Sequence, residues 1–121
     1  MADNEPAKPY DLEERTFLFA SQVRAFIKKL PRTLCNQEDA KQLVRASGSV
    51  GANYIEANES LGKRDFQMRI KISRKESKES RFWLRLIDTN EEDDLNTDRQ
   101  RLIQESTELL KIFSAIVRRG E

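Results

Sequence analysis

The sequence predicts an all-α protein, an antiparallel up-down-up-down four-helix bundle formed by a single domain. Helix breakers are rare: the 121 residues include four glycines and three prolines, and two of the prolines come before residue 10. Four successive segments repeat apolar residues at alternating steps of four and three, which is the period of an amphipathic helix. No segment alternates apolar and polar residues convincingly, so no sheet is expected. Short connections between the segments favour antiparallel neighbours.

The first helix is expected over residues 11–30. Acidic residues in its opening turn suit the positive end of the helix dipole, and Pro31 stops it. Its apolar stripe consists of Leu12, Thr16, Phe19, Val23, Phe26 and Leu30.

The second helix is expected over residues 37–61, with Asn36 as its N-cap and Gly62 just beyond its end. Gly48 and Gly51 fall inside this helix, where each costs up to about 1 kcal/mol relative to alanine. Because several neighbouring residues are also small, we expect the backbone of another helix to approach closely here.

The third and fourth helices are expected over residues 64–89 and 97–118. An acidic stretch, residues 90–96, would connect them, with Leu95 packed beneath it. The bundle domain then covers residues 10–119. Residues 1–9, which include two prolines, are expected to be a disordered lead-in.

Composition narrows the class of protein. Cys35 is the only cysteine, so there is no intrachain disulfide framework. The chain begins without a secretory signal pattern and has no apolar run near 18 residues, so we expect a cytoplasmic protein with no membrane contact. There is no histidine. We therefore expect no metal site, no cofactor and no enzymatic activity, and we regard Cys35 as an ordinary loop thiol.

A row of basic residues on the third helix is the main candidate for function. It consists of Arg64, Lys71, Arg74, Lys78, Arg81 and Arg85, called the basic stripe below. Residues 63–85 contain nine basic and three acidic residues, whereas residues 88–98, the acidic segment, contain six acidic and no basic ones. The stripe has three interpretations: a solvated face, a surface that follows RNA or DNA phosphates, or a surface that pairs with the acidic segment of a neighbouring subunit. The last would produce a closed head-to-tail ring.

The middle of the third helix, from Ser73 to Arg81, contains no apolar residue. We predict a structural polar network between the second and third helices, in which these side chains satisfy one another: Arg45, Asn53, Glu56, Lys75 and Glu79. The alternative is a carboxylate-lined pocket formed by Glu56, Glu59, Glu76 and Glu79.

Four stretches resemble a known family. They are RASGSVGANYIEANE at 45–59, KRDF at 63–66, SRKESKE at 73–79 and FWLRLI at 82–87. Together they resemble the bacterial proteins called the 23S rRNA intervening-sequence or S23 family, over about residues 10–119. The resemblance implies a four-helix bundle that assembles into a ring-like homopentamer, with a biochemical role that is largely unknown.

The stretch at 82–86 is also similar to the accessory variability proteins of diversity-generating retroelements. That resemblance implies basic pentameric barrels that bind nucleic acid and a reverse transcriptase. This chain departs from them in its net charge of +1 and in its acidic segment. We therefore expect a non-enzymatic oligomeric bundle associated with RNA or another nucleic acid. The alternative is an oligomeric scaffold that binds a protein such as a reverse transcriptase, without contacting nucleic acid.

Overall fold

The computed structural model describes residues 11–121, so the predicted lead-in at residues 1–9 lies outside the described residues. Four helices follow one another: α1, Leu12–Ile27; α2, Leu34–Asn58; α3, Lys63–Leu86; and α4, Asp93–Arg119. No strand occurs within residues 11–121. None of the helices in this range is long and apolar enough to cross a membrane.

Each helix runs antiparallel to the next, and α4 returns beside α1. The hydrogen bonds between neighbouring helices show the directions, since a residue early in one helix bonds to a residue late in the other. Between α1 and α2 they join Glu13 to Asn58 and Arg24 to Val44, and between α2 and α3 they join Arg45 to Glu76 and Asn53 to Arg69. Between α3 and α4 they join Gln67 to Val117 and Arg81 to Thr107. Arg15 of α1 bonds to Glu105 of α4, and Lys29, just after α1, bonds to Asp98. Within the described chain the diagonal helices, α1 with α3 and α2 with α4, bring no two Cα atoms within 8 Å of each other. The predicted antiparallel four-helix bundle is confirmed.

The core is built from the apolar stripes that the sequence predicts. Its fully buried large side chains come from all four helices: Phe19, Phe26, Leu43, Val50, Ile70, Leu84, Leu109 and Phe113. Burying a side chain of this size contributes about 1.5 to 3 kcal/mol relative to leaving it in water. Tyr54 packs its ring against Phe113, with 5.9 Å between the ring centroids. Leu95 is buried as expected, although it lies in the first turn of α4 and not in the connection.

A seam of small polar residues fills the α2–α3 contact where the apolar pattern of α3 is interrupted. Ser73, Ser77 and Ser80 are completely buried. Ser73 Oγ donates to the Val50 carbonyl of α2 at 2.8 Å, and Ser77 Oγ donates to the Ser73 carbonyl at 2.9 Å. The hydroxyls of Ser73 and Ser77 are satisfied by these carbonyls, whereas Ser80 Oγ has no hydrogen-bond partner among the described residues. Because serine is small, α3 is buried here without apolar side chains.

The α2 helix begins three residues earlier than predicted, and Thr33 is its N-cap. Thr33 Oγ1 accepts from the backbone N–H of Asn36 at 3.1 Å. The predicted cap, Asn36, is instead buried, and its side chain joins the two connections at this end of the bundle. It donates to the carbonyls of Pro31 and Asp88, and its oxygen accepts from the N–H of Asp88. The early start also places Cys35 in the first turn of α2 rather than in a loop, with its side chain exposed.

The starts of α3 and α4 also differ from the predicted bounds, and the conformation of the preceding connections explains the differences. Gly62 has extended backbone and is the N-cap of α3, not the residue after α2. The α4 helix begins at Asp93, four residues early, because Asp93 and Asp94 stabilise its first turn. Asn90 and Glu91 both have a φ of 57°, and the Glu92 N–H bonds to the Thr89 carbonyl. The connection is therefore a tight turn followed at once by helix.

Candidate nucleic-acid interface

The basic stripe follows the outside of α3 along most of its length. Arg64, Lys71, Lys78 and Arg85 are exposed and recur every seven residues, so successive cations are about 10 Å apart along the helix. Arg74 and Arg81 are half-buried and lie on the side that meets α4. Arg81 donates from Nη1 to Thr107 Oγ1 of α4 at 3.3 Å. The structure therefore brings the six predicted residues together on one surface.

No carboxylate within residues 11–121 lies within 4.0 Å of a basic group of the stripe. The acidic residues at 76 and 79 of α3 point away from it. Glu76 and Glu79 both contact Arg45 of α2, on the other side of the helix. The stripe is thus an array of cations that the described part of the chain leaves without anionic partners.

Two further cations, Lys111 and Arg118 on α4, extend this surface, and sequence reasoning missed them. Both are exposed and are seven residues apart. They flank the positions through which α4 contacts α3, since Thr107 bonds to Arg81 and the Val117 carbonyl accepts from Gln67 at 3.0 Å. The sequence shows that Lys111 and Arg118 share one face of α4, but it does not show which face of α4 lies next to α3. For that reason their place beside the basic stripe could not be predicted.

The acidic residues of α4 face the opposite way, towards α1. Glu105 accepts two hydrogen bonds from Arg15, at 2.7 and 2.9 Å. The bond to Glu105 raises the pKa of the Arg15 guanidinium, and the nearby charge of Glu108 adds to the effect. Because α4 separates its charges in this way, the groove between α3 and α4 is bordered by positive charge.

The predicted polar network forms with different partners. Arg45 donates to both carboxylate oxygens of Glu76, at 3.2 and 3.3 Å, and to Glu79 at 3.2 Å. The hydrogen bond to Glu76 raises the pKa of Arg45. Glu76 is 5% exposed and is the buried member of the network. The sequence had predicted its neighbour Lys75 as a member instead.

The other predicted members of the network lie apart from Arg45. Asn53 accepts from Arg69 at 3.0 Å and donates to the backbone carbonyl and hydroxyl of Ser49. Lys75 and Glu56 are exposed, and neither side chain bonds to another described residue. Sequence spacing placed them on the correct helices but at the wrong rotation, because residue 76, not 75, faces α2.

Within the described residues, no group of three or more acidic residues, cysteines or histidines is arranged to hold a metal ion. Glu76 and Glu79 are both engaged by Arg45, so the alternative of a carboxylate-lined pocket does not describe this contact. What α3 presents chemically is a set of cationic hydrogen-bond donors, which suits the binding of phosphates or carboxylates.

Comparison with known proteins places the chain in a family. The sequence profile described as "23S rRNA-intervening sequence protein" matches residues 9–115, which is nearly the whole chain. The chain belongs to the 23S rRNA-intervening sequence protein family. The same bundle occurs in a crystal structure from Bacteroides thetaiotaomicron, described as a protein with unknown function from the S23 ribosomal protein family. That chain is 25% identical, with a TM-score of 0.75 and coverage of 91% of this chain and 97% of the other. A comparison with curated proteins found no match.

Proposed function

We propose that this member of the 23S rRNA-intervening sequence protein family is a non-enzymatic protein that binds RNA through the basic stripe of α3. The observation behind the proposal is the row of six cations that no described carboxylate neutralises. Lys111 and Arg118 of α4 widen the same surface. The name of the family, which refers to 23S rRNA, favours RNA over other polyanions.

The expected mode of binding is contact with the phosphate backbone. Lysine and arginine that neutralise phosphates release condensed counterions, so this contribution depends on salt and is independent of sequence. Stacking on bases contributes little by comparison, since Phe82 is the only aromatic side chain among the exposed positions of α3. We therefore expect broad affinity for RNA rather than recognition of a short motif.

The proposal is tested by reversing charge on the stripe. Wild-type protein should bind an oligouridine RNA with an affinity that falls linearly with salt on logarithmic axes. Lys71→Glu with Lys78→Glu should abolish the binding, because each change removes one phosphate contact and adds a repulsive charge. Fluorescence anisotropy across a salt series measures both effects.

The matched control is Lys28→Glu with Arg32→Glu, which changes net charge equally at exposed positions around the α1–α2 connection. This control should retain binding. Affinity that is indifferent to salt, or that falls equally in the control, would contradict binding by the stripe.

A second candidate function is an oligomeric scaffold closed by its own charges into a ring, with a pentamer as the expected assembly. The acidic segment supports it: Glu91, Glu92, Asp93 and Asp94 are exposed, and within residues 11–121 no lysine or arginine lies within 4.0 Å of their carboxylates. In this arrangement the stripe of one subunit binds the acidic segment of the next, and a protein partner such as a reverse transcriptase would bind the ring.

A further inference from the structure

A second regular pattern runs along α3 on its outward side, next to the basic stripe. Positions 65, 68, 72, 75, 79, 82 and 86 follow one another at alternating steps of three and four. This row is called the outer seam below; its apolar members are Met68, Ile72, Phe82 and Leu86, and its charged members are Asp65, Lys75 and Glu79. The inward face of α3 has its own seam, buried in the bundle, so α3 shows coiled-coil spacing on two sides.

Most apolar residues of the outer seam are exposed. Met68, Phe82 and Leu86 are 48%, 51% and 51% exposed, and Ile72 is half-buried. Met68 and Ile72 also line an open depression along the first half of the helix. Single exposed apolar residues need no explanation, but a row at helical spacing is the surface on which an amphipathic helix binds.

The charges beside the outer seam indicate the chemistry of its occupant. In heptad terms, Arg64, Lys71, Lys78 and Arg85 each precede an a position of the seam, which makes them its four successive g positions. Charges at these positions select the partner of a coiled-coil pair. Because this flank of the outer seam is uniformly basic, it attracts a helix whose flanking residues are acidic and repels a helix whose flanking residues are basic.

We propose that the outer seam binds an amphipathic helix of another protein, with apolar residues at a and d positions and acidic residues at the flanking positions. A second copy of α3 fits poorly, because pairing α3 with α3 would bring two rows of lysine and arginine together. The complementary charge is therefore supplied by a helix other than α3, and association with a second copy through another surface is an outcome that the oligomer mass tests below.

The centre of the seam is polar and limits how the partner can align. Lys75 and Glu79 occupy two successive seam positions between Ile72 and Phe82. Glu79 is held by Arg45 at 3.2 Å, whereas Lys75 bonds to no described side chain. A carboxylate of the partner placed opposite Lys75 would fix one register, as single polar residues at core positions do in coiled coils.

This inference goes beyond RNA binding, although the two surfaces share the Arg64 row. They can be separated by substitution, because Phe82 and Leu86 belong to the seam and contribute no charge. Phe82→Ser with Leu86→Ser should therefore leave affinity for RNA unchanged while removing apolar contacts from the seam.

The experiment uses the full-length protein and two synthetic helices, each with leucine at every a and d position. One probe has glutamate at every e and g position, so that its own like charges disfavour self-association, and the other has lysine there. The glutamate probe should bind at least about tenfold more tightly than the lysine probe in isothermal titration calorimetry at physiological salt.

Variants locate the binding. Phe82→Ser with Leu86→Ser should weaken binding of the glutamate probe about tenfold or more, since both apolar anchors are lost. The matched control is Phe17→Ser with Leu18→Ser, which changes the same residue types at exposed positions of α1. This control should bind as the wild type does, and circular dichroism confirms that both variants remain helical.

Three results would overturn the proposal. The first is failure of the glutamate probe to bind, or equal affinity for the two probes. The second is binding of the glutamate probe that Phe82→Ser with Leu86→Ser does not weaken. The third is a fall in oligomer mass caused by that same pair, measured by light scattering, because the seam would then be covered by a second copy of this chain.

Discussion

At the scale of single residues, burial separates neighbours that look alike in the sequence. Glu76 and Glu79 are both acidic residues on the α2 side of α3, and both contact Arg45. Glu76 is almost completely buried, whereas the side chain of Glu79 is 42% exposed. The side chain of Arg45 is half-exposed, so its removal would leave the Glu76 carboxylate buried without its partner. The Arg45–Glu76 pair is therefore expected to contribute more to the stability of the fold than the Arg45–Glu79 pair.

Arg45→Ala should lower the free energy of unfolding by about 2 kcal/mol, since it leaves a buried acceptor unpaired. Glu79→Ala should cost less than about 1 kcal/mol, because its ion pair is exposed to solvent. Urea denaturation measures both. Lys41→Ala, at an exposed position one turn earlier in α2, is the control. A cost for Glu79→Ala as large as that for Arg45→Ala would contradict this ranking.

The Arg45 contact should be insensitive to pH on the basic side of neutrality. Its hydrogen bond to Glu76 raises the pKa of Arg45 in the folded protein. A group with a raised pKa contributes stability that is fully present at pH values below its ordinary pKa. This stability is lost only as the pH rises through the higher pKa of the group in the folded protein. Because arginine ordinarily titrates far above neutral pH, this loss also occurs only far above neutral pH.

At the scale of elements, the two glycines of α2 have different roles. A Cβ at Gly51 would lie 2.7 Å from Thr16 Oγ1 and 3.0 Å from Thr16 Cβ, so α1 would have to move. A Cβ at Gly48 would meet only the end of the flexible Arg24 side chain, at 3.3 Å. The expected close approach of another backbone is therefore confirmed at Gly51, where α1 crosses α2, and does not explain Gly48.

Gly51→Ala should destabilise the protein by about 1 to 3 kcal/mol, because the added methyl group overpacks the α1–α2 contact. Gly48→Ala should stabilise it by up to about 1 kcal/mol, since alanine is the better helix former and Arg24 can move aside. Thermal or urea unfolding gives both values. Adding Thr16→Ala should restore part of the stability lost by Gly51→Ala. A Gly51→Ala protein as stable as the wild type would show that α1 yields easily.

At the scale of the whole molecule, charge is separated more strongly than the net charge of +1 suggests. The basic stripe lies along α3, with Lys111 and Arg118 beside it, while the acidic residues of α4 face α1 or the α3–α4 connection. Opposite charges thus occupy different surfaces of one bundle. Such a distribution allows a polyanion to bind, and it equally allows subunits to associate through unlike surfaces.

Ring closure through these surfaces makes its own prediction. Glu91→Lys with Glu92→Lys should reduce the oligomer mass seen by light scattering, as should Lys71→Glu with Lys78→Glu. Combining all four changes should restore the oligomer, because the charges are then exchanged between the two surfaces rather than opposed. If the mass stays constant in every variant, the acidic segment takes no part in assembly.

The sequence by itself determined the number, order and buried stripes of the helices, because the 3.6-residue period is a local property of the chain. It also indicated the polar middle of α3 and the cations of the basic stripe. Tertiary structure alone decided that Glu76, and not Lys75, faces Arg45, and that Lys111 and Arg118 lie beside the stripe. It likewise showed that Asn36 is not a helix cap but links the α1–α2 and α3–α4 connections by hydrogen bonds. These features depend on the rotation and register of one helix against another, and only the packed core sets both.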